Sequence, residues 1–159
     1  MLTSLRPRLN REPPEVEVDC SDDLELATDP GALSHGLTNL LVNALVHAFE
    51  PGRIGRITIK ARLLDGDMVK LEFSDDGKGI PPELHEQVFD PFFTTRRGAG
   101  GSGLGLHILH TAVTVALRGQ LRLVSEVGRG TTFVMTFPRV LESDSPGENG
   151  GDARREGQA

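Results

Sequence analysis

Two neighbouring segments near the middle of the chain alternate apolar and polar residues on either side of a short turn. The apolar positions are Ile57, Ile59, Ala61 and Leu63 before the turn at Asp65 and Gly66, and Val69, Leu71 and Phe73 after it. A period of two places all these side chains on one face of a strand. The pattern predicts a β-hairpin, and because an isolated hairpin is only marginally stable, its apolar face requires a covering layer.

Two helices are predicted to supply that layer. Asp29 and Pro30 give a helix N-cap followed by proline at the first helical position, and apolar residues recur at helical spacing from there to Phe49. A second helical pattern runs over residues 102–117 and stops at Gly119. Each helix is therefore expected to present one apolar face to the sheet.

Further strands are predicted on both sides of this unit. Residues 15–19 alternate as an edge strand would, and residues 24–27 are expected to follow as another. Residues 121–124 and 132–137, joined through residues 128–130, form a closing hairpin. The fold class is an α/β two-layer sandwich, in which a mixed, mostly antiparallel sheet is covered by helices on one face.

Composition limits the domain count and the kinds of partner. A chain of 159 residues fits one domain, which we place at residues 15–140, after a linker at 1–14 and before a disordered tail at 141–159. The net charge of -6 argues against nucleic acid as a partner. No apolar run is long enough to span a bilayer, so we expect a cytoplasmic domain without membrane contact, although a parent protein can be membrane-anchored.

Three polar side chains share one face of the first predicted helix. Asn39, Asn43 and His47 are spaced four residues apart. Asparagine is unfavourable inside helices, and its neutral amide oxygen can coordinate Mg²⁺ without adding charge beside a polyphosphate. The alternative is a solvated polar face.

A second motif follows the strand that ends near Asp75. The run is Asp-Asp-Gly-Lys-Gly-Ile at residues 75–80. A carboxylate at a strand end can accept a hydrogen bond from an exocyclic amine such as that of adenine, and the glycines at 77 and 79 let the backbone turn sharply beside a flat ring. The alternative is an ordinary turn.

A third motif, the glycine-rich stretch at residues 98–106, opens the second helix. Free amide groups and the helix dipole at such a start favour an anion, so this stretch indicates a phosphate cradle, with a flexible hinge as the alternative. No Gly-Lys-Ser/Thr follows, which excludes a Walker loop. Between the second and third motifs, the run Phe-Asp-Pro-Phe-Phe at residues 89–93 leads into a polar stretch. It suits either a lid over a ligand or a pinned loop.

In this order, the motifs closely resemble the N, G1, F and G2 boxes of two-component sensor histidine kinase catalytic domains. These domains share the Bergerat-type ATP-binding fold with gyrase, Hsp90 and MutL. The resemblance implies ATP and Mg²⁺ as ligands. The implied metal residues are Asn43 and Asn39. The implied nucleotide residues are Asn39, Asn43, His47, Asp75, Gly77, Gly79, Ile80, Arg96, Gly101, Ser102, Gly103, Leu104, Gly105, Leu106 and Thr131.

Within this set, the resemblance implies distinct roles. Asp75 holds the adenine amino group and Thr131 supports Asp75, while Phe89, Phe92 and Phe93 anchor the lid. Val46 stands where many relatives have a phosphate-binding lysine, and Arg96 or Arg97 is a candidate substitute.

The resemblance also implies the reaction. ATP-hydrolysing members carry a glutamate where this chain has Asn39, so water attack is unassisted and transfer of the γ-phosphoryl group to another nucleophile is expected. In histidine kinases that nucleophile, and its base, lie on a separate dimerisation domain, and the phosphoryl group passes on to a response regulator receiver domain.

The chain itself holds neither acceptor nor base, because none of its histidines lies in a phosphoacceptor motif. These histidines are His35, His47, His85, His107 and His110. The alternatives are a non-catalytic nucleotide-binding scaffold, which Val46 favours, and an anti-sigma-type serine kinase, which the phenylalanine motif disfavours.

Overall fold

A computed structural model of the chain describes residues 12–94 and 103–142. Its strands and α-helices in chain order are β1 (Glu15–Cys20), α1 (Pro30–Asn43), β2 (Arg56–Leu64), β3 (Met68–Asp75), α2 (Gly105–Thr111), β4 (Gln120–Glu126) and β5 (Gly130–Pro138). The strands form one sheet in the order β1-β2-β3-β5-β4. The two predicted hairpins, β2–β3 and β4–β5, are therefore both present.

The sheet is mixed and mostly antiparallel, as predicted. Only β1 and β2 pair in parallel, and the other three pairings are antiparallel. Two ion pairs join the parallel edge strand β1 to β2. Arg56 pairs with Glu15, and Arg62 pairs with Asp19. In the centre of the sheet, Asp75 at the end of β3 lies opposite Thr131 of β5.

The apolar core lies between one face of the sheet and the helices. In β3, buried residues alternate with half-buried ones along the whole strand, which is the pattern of a sheet covered on one face. The core side chains come from the sheet and from both helices: Leu40, Ile57, Val69, Phe73, Leu109, Val113, Leu117, Phe133, Met135 and Phe137. This arrangement confirms the two-layer α/β sandwich.

Helix α1 begins where the sequence predicts. Asp29 is the N-cap, its carboxylate accepts a hydrogen bond from the backbone N–H of Ala32 at 3.0 Å, and Pro30 occupies the first helical position. Helical structure continues beyond Asn43 as a π-helical turn, Ala44–Ala48, and α2 likewise continues as Ala112–Ala116. Both π turns lie at the helix ends, a feature that often accompanies functional sites.

Two local predictions differ from the structure. The predicted strand at residues 24–27 is reduced to a single bridge between Ala27 and Val140, because its neighbours Leu24 and Leu26 pack against the core from a loop. Helix α2 begins at Gly105 within the described residues, whereas the glycine-rich pattern placed its start at Ser102, outside them. In the described ranges, no helix has the length and apolarity needed to cross a bilayer.

Candidate functional site

A cavity of about 520 Å³ opens between α1, the loop after β3 and the start of α2. Its floor is formed by Asp75 at the end of β3 and by Thr131 and Phe133 of β5. The residues predicted from sequence that line it are Asn39, Asn43, His47, Asp75, Gly79, Ile80, Gly103, Gly105, Leu106 and Thr131. Three motifs that are distant in sequence therefore meet around one cavity.

The α1 wall carries the polar side chains that helical spacing placed on one face. Asn39 and Asn43 lie in the α-helical part, and His47 lies in the π turn that follows. The side-chain nitrogen of Asn39 is buried and has no hydrogen-bond partner among the described residues. Since a buried polar atom without a partner is costly, this side of the cavity is suited to a polar occupant.

The amides of Asn39 and Asn43 are of a type that could hold a magnesium ion beside a polyphosphate. Amide oxygen is an accepted Mg²⁺ ligand, and rotation of an asparagine amide by half a turn exchanges its oxygen and nitrogen positions. Asn39 can thus present an oxygen to the ion or its water, or an N–H to a phosphate. Because neutral amides bring no charge, the phosphates would supply the attraction that holds the ion.

Asp75 is the buried carboxylate of the cavity. It is 9% exposed, and its Oδ1 accepts a hydrogen bond from the backbone N–H of Gly77 at 2.9 Å. Burial raises the pKa of Asp75, while backbone hydrogen bonds from Gly77 and Thr131 partly offset that effect and the neighbouring Asp76 adds to it. A charged, desolvated acceptor of this kind can bind a donor group strongly.

The two glycines after Asp75 allow the loop to pack tightly against other elements. A Cβ on Gly77 would lie 2.4 Å from the carbonyl oxygen of Ala48 at the end of the α1 π turn. Gly79 has a φ of +75°, and its Cβ would lie 2.1 Å from the carbonyl oxygen of Glu126. Gly77 is absent from the cavity wall: it brings the loop close to α1 instead of touching the cavity.

Ser125 of β4 joins the loop to β5 beneath the cavity. Its Oγ lies 2.8 Å from the backbone nitrogen of Ile80, 2.9 Å from the carbonyl oxygen of Gly130 and 2.9 Å from the Oγ1 of Thr131. The sequence prediction missed Ser125, because an alternating strand carries no local sign of what its polar residues contact. Only the pairing of β4 with β5 brings Ser125 to Thr131.

The three phenylalanines of the motif at residues 89–93 lie in three different environments. Phe89 packs edge-on against Phe133 with ring centroids 6.3 Å apart, as expected of an anchor. Phe93, which the resemblance implies only as a lid anchor, lines the cavity. Phe92 is 67% exposed with a φ of 65°, so its prediction as an anchor is wrong: the left-handed backbone turns the ring outward.

Other predicted positions lie elsewhere. Leu104 is the N-cap position of α2 and does not line the cavity. Arg96, Gly101 and Ser102 lie outside the described residues. Val46, which stands where many relatives have lysine, does line the cavity.

Several cavity residues were not predicted from the sequence. Lys78 lies inside the second motif, so its position there was the available signal. The others are mostly apolar: Val42, Ala48, Pro81, Leu84, Val88, Thr94, Ile108, Val127 and Phe133. Apolar walls with a few convergent polar groups are typical of small-molecule sites, and core-like residues of this kind cannot be separated from the core by pattern alone.

The raised pKa of Asp75 predicts opposite pH dependences for binding and for stability. Protonation removes the charged acceptor, so nucleotide affinity should fall as the pH falls through the raised pKa, earlier than for an ordinary aspartate. Because the protonated form is favoured in the folded state, the contribution of Asp75 to stability is present at low pH and lost as the pH rises. Calorimetric titration with ADP from pH 8 down to about 4, the ordinary pKa of an aspartate, beside thermal melts, tests both trends.

The Asp75→Asn variant is the control for that experiment, since it cannot titrate at this position. Its residual affinity should show no acid-induced loss beyond that caused by protonation of ADP itself. An equal loss in both proteins would contradict the assignment to Asp75.

Comparison with known proteins places this chain in a family. The model for histidine kinase-, DNA gyrase B- and HSP90-like ATPases matches residues 28–141. The sensor kinase CckA of Brucella abortus (strain 2308) is 35% identical in an alignment that covers 89% of this chain and 16% of CckA. The mycobacterial sensor histidine kinase MprB is 30% identical with a TM-score of 0.65, and the match covers 86% of this chain and 90% of that structure.

Full-length ShkA, solved in complex with AMPPNP, is 27% identical with a TM-score of 0.69 over 87% of this chain and 28% of that chain. The chain therefore belongs to the histidine kinase-, DNA gyrase B- and HSP90-like ATPase family, as a catalytic ATP-binding domain of the sensor histidine kinase type. This confirms the resemblance seen in the motifs. The chain spans only 16% of the length of CckA and 23% of the Salmonella typhi sensor histidine kinase ZraS.

Proposed function

We propose that this domain binds Mg-ATP in the cavity and transfers the γ-phosphoryl group to a histidine on a separate dimerisation domain. The observation that carries the proposal is the meeting of one buried carboxylate, Asp75, with the asparagine face of α1 in a single cavity. The carboxylate suits the donor edge of a base, and the amides suit a metal-bound polyphosphate. A nucleoside triphosphate contains both a base and a polyphosphate.

The adenine end is assigned to the floor of the cavity. Asp75 accepts a hydrogen bond from the 6-amino group, and the apolar side chains of Ile80 and Phe133 pack against the ring. The close packing at Gly79 keeps the loop in place beside the base. Binding of AMPPNP by ShkA supports a nucleotide as the occupant.

The phosphate end is assigned to α1 and the start of α2. Asn43, with Asn39, holds Mg²⁺, which neutralises developing charge on the phosphates when bound. His47 lines the same wall and contacts the phosphates. Gly103 and Gly105 line the cavity where α2 begins, and the backbone amides of this first turn are assigned to the phosphates. Leu106 lines the same end of the cavity. The resemblance also implies Arg96, Gly101, Ser102 and Leu104 as nucleotide residues, and we keep them as predictions.

Transfer is favoured over hydrolysis because an amide, and not a carboxylate, stands at the position that activates water in ATP-hydrolysing relatives. Asn39 occupies the position of the glutamate that activates water in ATP-hydrolysing relatives, and an amide cannot accept a proton in that step. The domain's contribution is therefore positioning and charge neutralisation, which supply most of the catalysis in phosphoryl transfer. The acceptor histidine and its base come from the dimerisation domain, and a response regulator receiver domain takes the phosphoryl group next.

A non-catalytic scaffold is the second candidate function, and the observation in its favour is Val46. This apolar side chain lines the cavity at the position where many relatives have a cation for the phosphates. A scaffold would bind nucleotide with little dependence on Mg²⁺. An active kinase requires the ion.

Calorimetry with ATP in the presence of Mg²⁺ or of a chelator distinguishes these candidates. We expect binding with Mg²⁺ and affinity at least about 10-fold weaker in chelator, because the amides of α1 hold the phosphates mainly through the ion. Equal affinities in both conditions would favour the scaffold. No binding in either condition would refute both.

A further inference from the structure

The proton arrangement around Ser125 is determined by its three partners. A serine hydroxyl has one proton to donate and two lone pairs to accept. The backbone N–H of Ile80 can only donate to Ser125 Oγ, and the carbonyl oxygen of Gly130 can only accept from it. The single proton of Ser125 is thus directed to Gly130, so the remaining contact, with Thr131 Oγ1 at 2.9 Å, must be donated by Thr131.

This arrangement leaves the Thr131 hydroxyl with lone pairs and no proton for any further partner. Thr131 is 5% exposed and lines the cavity with Asp75, its register partner across the sheet. Because the Thr131 proton is directed to Ser125, only lone pairs remain for a ligand. Asp75 also presents only lone pairs when ionised. The base end of the cavity therefore offers two acceptors side by side.

Two adjacent acceptors discriminate between purines at position 6. A 6-amino group can donate one N–H to each of them. A 6-oxo group in the same place would set its own lone pairs against theirs, and the single N1–H of a 6-oxo purine could satisfy only one of the two acceptors. We propose that Ser125 is a positioning residue that holds the Thr131 hydroxyl as an acceptor and thereby selects 6-amino over 6-oxo purine nucleotides. The proposal rests on the proposed function, since it requires the base to lie at Asp75 and Thr131.

Removing the Ser125 hydroxyl should change selectivity as well as affinity. In Ser125→Ala the Thr131 proton is free to rotate toward the cavity and donate to a 6-oxo group. We expect the affinity ratio of ATP to inosine triphosphate to be at least about 10-fold in the unmodified domain and to fall about 3- to 10-fold in the variant, the size of one neutral hydrogen bond. Ser125→Thr keeps the hydroxyl and should retain the ratio.

The chain offers a matched control on the opposite face of the sheet. Ser74 Oγ of β3 lies 2.9 Å from Thr132 Oγ1 of β5, one position along from the pair Asp75 and Thr131, and neither residue lines the cavity. Ser74→Ala removes an equivalent hydroxyl pair and should leave the ratio unchanged. Thr131→Val supplies the second control: if Ser125 acts through Thr131, adding Ser125→Ala to Thr131→Val should not change the ratio further.

Competition binding of ATP and inosine triphosphate, with thermal melts of each variant, completes the test. Equal loss of both affinities in Ser125→Ala would overturn the proposal, because a purely structural role weakens both nucleotides alike. If that variant does not fold, Ser125→Cys, with its weak donor and acceptor, must lower the ratio or the proposal fails. An unmodified domain that binds both nucleotides equally would overturn the selectivity proposal alone, whereas one that binds neither would refute the proposed function itself.

Discussion

Replacing Asp75 by asparagine is expected to weaken ATP binding by about 10- to 150-fold without destabilising the domain. A hydrogen bond to a charged acceptor contributes about 1.5–3 kcal/mol, and the amide group can turn a donor toward the 6-amino group. Burial already penalises the ionised carboxylate, as its raised pKa indicates. Loss of the charge should therefore leave the melting temperature at neutral pH unchanged or higher. Calorimetry and thermal melts measure the two effects separately.

The adjacent carboxylate is the matched control for this substitution. Asp76 faces away from the cavity, where it accepts a hydrogen bond from the backbone N–H of Arg56 at 2.7 Å and pairs with Arg53 at 3.4 Å. Asp76→Asn should leave ATP affinity within about 2-fold and lower stability slightly, since exposed ion pairs contribute about 0–1 kcal/mol. Similar losses of ATP affinity in both variants would contradict the assignment of Asp75 to the base.

Replacing Asn43 by alanine is expected to lower the rate of phosphoryl transfer by about 100- to 1,000-fold, the typical cost of losing one preorganised group that stabilises transition-state charge. Affinity for Mg-ATP should fall as well, whereas affinity for adenosine, which has no phosphates, should not change. Alanine is the strongest helix former, so the fold should be as stable as before or slightly more stable. Transfer assays and calorimetry with both ligands measure these effects.

Thr38 of α1 provides the control for Asn43. It is exposed, and its hydroxyl is bonded to the carbonyl oxygen of Ser34 in its own helix at 2.8 Å. Thr38→Ala removes a polar side chain from the same helix without touching the cavity, so transfer should be unchanged. A loss of adenosine affinity in Asn43→Ala would place Asn43 near the base and contradict the orientation proposed for the nucleotide.

Features with a local chemical cause were predictable from the sequence. Period-two alternation located both hairpins, and the Asp29 cap with Pro30 located the start of α1, because each pattern reflects neighbouring residues. The cavity wall on α1 followed from the spacing of Asn39 and Asn43. Residues four apart lie on the same face of a helix, so formation of the helix is enough to bring the two amides to one wall.

Features that depend on tertiary contacts were not predictable. The parallel pairing of β1 with β2 joins strands separated by α1 and has no turn signal. The π turn at Ala44–Ala48 differs from an α-helical turn by one residue in its hydrogen bonding, too little to alter a short apolar pattern. The contact between Ser125 and Thr131 depends on strand register, and the outward position of the Phe92 ring depends on its left-handed backbone. Neither feature produces a periodic pattern in the sequence.

The most direct test of the proposed function is phosphoryl transfer in trans. The domain is mixed with its histidine-containing dimerisation domain and with ATP radiolabelled on the γ-phosphate, and the label is followed by its stability to acid and base. We expect label on the dimerisation domain that is acid-labile and base-stable, as phosphohistidine is, and that disappears when its histidine is replaced. An unlabelled dimerisation domain in the presence of a domain that binds Mg-ATP, or label on a serine instead, would contradict the proposal.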